Sequence, residues 1–161
     1  MTNADFWASR WESEQAAFRK VLAALPGEKL DYCPHEKCTN AGNLAWQLAI
    51  EQRGMAELLT DGKTDYPTEP KRPDSLDGIL AEWDSATEAV RGALKATDDA
   101  QWDGDAQFLM GGAPVWTDTR RNMLWGFLFD MVHHRGQLSS YLRPMGGKVP
   151  AIYGPSADAQ S

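Results

Sequence analysis

The chain has 161 residues, 42% hydrophobic and 24% charged, with 16 lysines and arginines against 23 aspartates and glutamates and a formal net charge of -7. These values describe one globular domain over residues 1–161, with enough apolar side chain for a core that needs no staples, and they exclude a disordered or fibrous chain. An acidic chain without a basic stripe excludes nucleic acid as its main ligand, and the longest apolar run, Met123 to Phe129, is too short to cross a membrane.

Met1 to Glu14 has neither the basic nor the apolar region of a signal peptide, so the default location is cytoplasmic, where a disulfide is not expected. Trp7, Trp11, Phe18, Leu22 and Leu25 share one helical stripe. Thr2 or Asn3 can cap the start of that helix, and Pro26-Gly27 ends it. Cys33-Pro34-His35-Glu36-Lys37-Cys38 offers only three zinc donors where a closed site needs four, so the simpler reading is a loop with free thiols. A second helix begins at Thr39 or Asn40 and turns Leu44, Leu48, Met55 and Leu59 inward, with Asp61-Gly62 closing it. Pro67, Pro70 and Pro73 make Asp61 to Asp74 a loop, long enough for helices two and three to run parallel.

The third helix follows Asp74 or Ser75, with Leu76, Ile79, Leu80, Trp83, Thr87, Val90 and Leu94 at three- and four-residue steps. Asp98 to Trp116 holds Gln107–Met110, the turn residues Gly111–Pro114 and then Val115-Trp116, which predicts a short hairpin over one end of the helices. The fourth helix starts near Thr117 or Asp118 and runs to Leu142, before Pro144 and Gly146-Gly147. Val149, Pro150, Ile152 and Tyr153 predict a docked C-terminal tail, with fraying over 157–161. The fold class is therefore all-α: a four-helix bundle with long crossover loops.

Polar residues on apolar helix faces mark where chemistry could sit, because burying one without a partner costs about 1–3 kcal/mol. On the last helix Asp130 and His134 lie one turn apart on the face that carries Phe127 and Tyr141. On the second, Gln47 and Glu51 have the same spacing beside Leu44, Leu48 and Met55. Two helices that each contribute a pair at i, i+4 can build a metal or acid–base centre; the same residues can also be hydrogen-bonded pairs at a partly solvated bundle end. His134 and Asp130 are good ligands, Gln47 is a weak neutral donor, and Glu51 could complete the set. His133 points about 100° around the helix from His134 and is read as a supporting or surface residue. Trp46, Trp116, Trp125, Phe127 and Tyr153 either line a ligand pocket or belong to the core.

His133-His134-Arg135-Gly136-Gln137-Leu138, with Tyr141-Leu142-Arg143 and the tail residues Pro150, Tyr153 and Gly154-Pro155-Ser156, resembles the DinB (damage-inducible, YfiT-like) family of four-helix metalloproteins. Leu44-Ala45-Trp46-Gln47 resembles that family's second-helix motif, and Phe6 to Leu25 its first helix. The resemblance implies a divalent metal, zinc or nickel, held by one histidine on the second helix and two on the last. His134 matches the last of these, whereas Asp130 and Gln47 stand where the other two histidines usually lie. It also implies a packing role for Gly136 and a bracing role for Arg135 and Gln137. The expected protein is a homodimer with a metal site at Gln47, Asp130 and His134, supported by Glu51, His133, Trp46, Phe127 and Tyr153. Its expected activity is that of a metal- and thiol-dependent transferase or hydrolase acting with a small-molecule thiol. The alternative is a non-catalytic small-molecule-binding or stress-associated homodimer with no metal.

Overall fold

The computed structural model describes residues 2–160. Four long helices carry the core: α1 (Asn3–Ala23), α2 (Ala41–Asp61), α3 (Leu76–Ala96) and α5 (Arg120–Leu142), with a single-turn α4 at Asp99–Trp102. Each long helix starts at a side-chain cap. Thr2 forms a capping box with Asp5, and Asn40, Ser75 and Thr119 accept from the backbone N–H of Asn43, Gly78 and Asn122. Helix α2 ends at Gly62, whose φ of 67° is the left-handed conformation that favours glycine.

Side-chain pairs fix the relative directions of the helices. Thr39 meets Tyr141, Gln47 meets His134 and the Leu59 carbonyl meets Arg120, so α2 and α5 are antiparallel. Arg19–Asp84 and Glu12–Arg91 make α1 and α3 antiparallel as well. Arg72, just before α3, donates to Asn43 in the first turn of α2, and Arg53 meets Glu82 mid-helix, so α2 and α3 run parallel, which the long connection allows. The buried Trp7, Trp11, Phe18, Leu22, Leu44, Leu48, Ile79, Trp83 and Met123 form one continuous core between them.

The connections hold more structure than their composition suggests. Strands β2 (Asp105–Met110) and β3 (Ala113–Thr119) form the expected antiparallel hairpin, irregular between Phe108 and Leu109. A third strand, β1 (Lys63–Tyr66), lies in the segment expected to be a loop and pairs parallel with β2, Lys63 opposite Gln107 and Tyr66 opposite Met110. Thr64 is buried between exposed neighbours, as the alternation of a half-buried strand requires. The bundle thus carries a three-stranded sheet where α2 ends and α5 begins, and all-α describes its helices but not this end.

The tail docks through the half-buried Val149 and Ile152. Within the end expected to fray, Asp158 and Ala159 are hydrogen-bonded. Asp158 accepts from Arg143 and from the Val149 N–H, and Ser156 donates to the Val149 carbonyl and accepts from the Asp158 and Ala159 N–H groups. Residue 161 of the expected frayed end lies outside the described residues. Among the described residues, no helix is long and apolar enough to cross a membrane.

Candidate metal centre

Antiparallel packing of α2 on α5 brings together the two polar pairs that the sequence spaced four apart. Glu51, Asp130 and His134 each offer a ligand atom, and those atoms lie within 4.8 Å of one another. They are the one such histidine, cysteine, aspartate and glutamate group among the described residues. Cys33 and Cys38 do not join it; the Cys33 thiol donates to the carbonyls of His35 and Cys38 within its own loop.

Glu51 is the unusual member. It is 3% exposed, and one carboxyl oxygen accepts from Gln47 Nε2 at 2.8 Å while the other is buried with no partner. Burial pushes its pKa up from 4.5 to about 8, opposed by the Gln47 hydrogen bond and reinforced by the nearby Asp130 carboxylate. Near neutral pH this carboxyl therefore holds a proton unless a cation takes the proton's place.

His134 is half-buried and held from both sides. Its Nδ1 faces Gln137 Oε1 at 3.0 Å, and Nε2 faces Gln47 Nε2 at 2.9 Å and an Asp130 oxygen at 3.3 Å. An amide oxygen only accepts, so with this orientation of Gln137 the ring proton sits on Nδ1. The Nε2 lone pair then points into the site, the tautomer that ligation through Nε2 needs. Gln47 touches both neighbours through its amide nitrogen, which donates and does not ligate, so in this rotamer it links Glu51 to His134 rather than supplying an oxygen.

The donor set fits a divalent ion. A buried carboxyl with an unused oxygen, an aspartate open to solvent and an imidazole with its lone pair aimed inward supply two oxygens and one nitrogen around one point.

Trp46 and Phe127 line a cleft of about 610 Å3 that opens beside this group between α2, α5 and the sheet. Gly126 makes room in its wall: a Cβ there would sit 2.6 Å from the Trp116 ring. Other sequence candidates lie elsewhere. His133 is exposed, one turn beyond Phe129 on the outer face of α5, and Trp125 packs there between Phe6 and Phe129. Tyr153 does not line the site. Its hydroxyl donates to Glu14 and accepts from Arg135, and the residue is 73% exposed. Arg135 braces that corner with a 2.5 Å ion pair to Glu14, lying 4.7 Å over the Phe18 ring. Gly136 packs against nothing within this chain, since a Cβ there would meet nothing within 4 Å.

Comparisons with known proteins agree with the overall fold. The family model described as "DinB family" matches residues 1–160. The uncharacterized protein YrdA of Bacillus subtilis is 28% identical over 164 residues, covering 96% of this chain and 90% of that protein. A crystal structure of a DinB-like protein from Bacillus cereus superposes with a TM-score of 0.73 at 23% identity, over 91% of this chain and 95% of that one. The DinB-like protein YjoA of Bacillus subtilis does so with a TM-score of 0.67 at 19% identity, over 87% and 91% of the two chains.

Proposed function

This chain belongs to the DinB family, and from that premise we propose that it is a metal-dependent transferase or hydrolase whose centre is Glu51, Asp130 and His134. The observation that carries the reading is the unpartnered, buried oxygen of Glu51 beside the inward lone pair of His134. A divalent ion of the zinc or nickel type, when bound, would lower the pKa of a coordinated water or thiol and so supply a nucleophile at neutral pH. The protein's own contributions are separable. Gln137 fixes the tautomer of His134, Gln47 orients the Glu51 carboxyl, and the half-exposed Asp130 keeps one side of the centre open to the cleft.

Metal analysis of protein purified without a nickel column tests this. Stoichiometric metal that is lost in His134→Ala, together with about tenfold or more weaker zinc binding in Gln137→Ala, is the expected result. A chelated protein that takes up no zinc or nickel on titration overturns the reading. One observation favours a second reading, a metal-free small-molecule-binding protein: the Gln47 amide already hydrogen-bonds both Glu51 and His134. Gln47→His and Asp130→His separate the two. A marked gain in zinc affinity means that the ligand positions are sound, and no gain favours the metal-free protein.

A further inference from the structure

The cleft is far larger than an ion and its first shell require. At about 610 Å3 it falls within the ~300–1,000 Å3 of small-molecule sites. Its walls are aromatic. Tyr66 stands edge-on to Phe108 at 4.9 Å and to Phe127 at 6.0 Å, and Trp116 stacks on Phe127 at 6.4 Å with the planes 8° apart. Trp46 and Ile50 of α2 line it as well. Gln47, Glu51 and Asp130 place their polar groups at the metal centre, and no lysine or arginine lines the cleft among the described residues. Arg72, which bonds Asn43 on the cleft wall, is already committed to Asp31, Asn43 and the Pro73 carbonyl.

This lining sorts ligands by charge. An anion would be desolvated against rings, beside two carboxyl groups, with no basic side chain to receive it. A cation would find those carboxyls only when no metal ion holds them. We infer that the cleft binds an uncharged molecule with an aromatic ring, the ring packed against the aromatic walls and one polar group turned to the Glu51–Asp130–His134 end. The exclusion of cations rests on the metal-centre reading above; the exclusion of anions rests on the side chains of the cleft alone and is read in the chelated protein. A carboxylate-bearing thiol is therefore not the molecule that fills this cleft, and any such partner would approach the centre from its open Asp130 side.

A matched series tests the inference: 2-naphthylmethanol, 2-naphthylmethylammonium and 2-naphthoate share a ring system and differ in charge. Binding is measured by calorimetry on the protein as purified, with its metal content determined, and again after chelation. The expected result is that the alcohol binds about tenfold or more tightly than the naphthoate in the chelated protein, and at least as tightly as the ammonium in the metal-containing one. Ile50→Trp, checked for folding by circular dichroism, fills the cleft and is expected to weaken alcohol binding about tenfold. Naphthoate matching the alcohol in the chelated protein overturns the inference. So does tenfold tighter binding of the ammonium in the metal-containing protein, or no binding by any of the three. Naphthoate affinity that rises only when zinc is added reports on the metal centre and leaves the charge preference of the chelated cleft standing. Absence of metal with retained preference for the alcohol over naphthoate refutes the metal reading alone.

Discussion

Helix α2 carries two polar clusters one residue apart, and they differ in kind. Gln52 turns toward α1 and α3: its oxygen accepts from Trp11 Nε1, its nitrogen donates to Gln15 and to Thr87, and Thr87 donates onward to the Trp83 carbonyl. Gln15 closes the set by donating to the Trp11 carbonyl. Each of these buried side chains is satisfied by protein alone. Glu51 turns toward α5 and has an oxygen with no partner at all. A buried polar network with every member paired specifies packing, whereas one with a deliberate gap has capacity for a ligand.

The strongest way to break this contrast is Gln52→Leu. It strands Trp11 Nε1 and the Gln15 oxygen in the core, and a loss of about 3 kcal/mol is expected from chemical denaturation. A loss below ~1 kcal/mol would mean that the satisfied network is dispensable and the contrast false.

Glu51 sharpens the comparison through pH. Its folded pKa of about 8 exceeds the ordinary 4.5, so between those values the folded state holds a proton that the unfolded chain has released. The stability this proton contributes is fully present below pH 4.5 and is lost as pH rises through 8, with a slope of at most ~1.4 kcal/mol per pH unit. Chelated wild-type protein should therefore lose stability across this window in denaturant titrations. Glu51→Gln should not, and at neutral pH it should cost less than Gln52→Leu. A variant with the wild-type slope would show that another group titrates.

The smallest effect is expected at Gly136, two residues from His134 on the exposed side of α5. Gly136→Ala should stabilise the protein by about 0.5–1 kcal/mol in thermal unfolding and leave zinc uptake unchanged, because it adds helix propensity where nothing is packed. Destabilisation would mean that this face is covered in solution.

Local signals made the helices legible. Thr2, Asn40 and Ser75 cap where capping chemistry places them, the stripe from Trp7 to Leu25 buries as its spacing predicts, and that from Leu76 to Leu94 buries Ile79, Trp83, Thr87 and Val90 and half-buries its three leucines. Strand β1 was hidden because its partner lies some forty residues on and its neighbours are prolines. The alternation Lys63-Thr64-Asp65-Tyr66 was the available sign. The four-residue spacings of Gln47 with Glu51 and Asp130 with His134 located the centre, but spacing could not tell which of Gln47 and Glu51 brings an unsatisfied oxygen, because burial decides that. Tyr153 went astray for a related reason. A tail residue's side is set by tertiary contacts, here Arg135 and Glu14. Nothing in the pattern singled out Gln52, whose partners come from two other helices.

Arg120 and Tyr141 lie near opposite ends of α5, and each is tied to α2: the first donates to the Leu59 carbonyl in its last turns, the second to the Thr39 carbonyl just before its start. The pair of helices is thus a closed frame, fastened above and below the opening it surrounds. Such a frame resists admitting a guest by spreading. Pro67, Thr68 and Pro70 close one side of that opening from the connection to α3, and the prolines there narrow the shapes this wall can take.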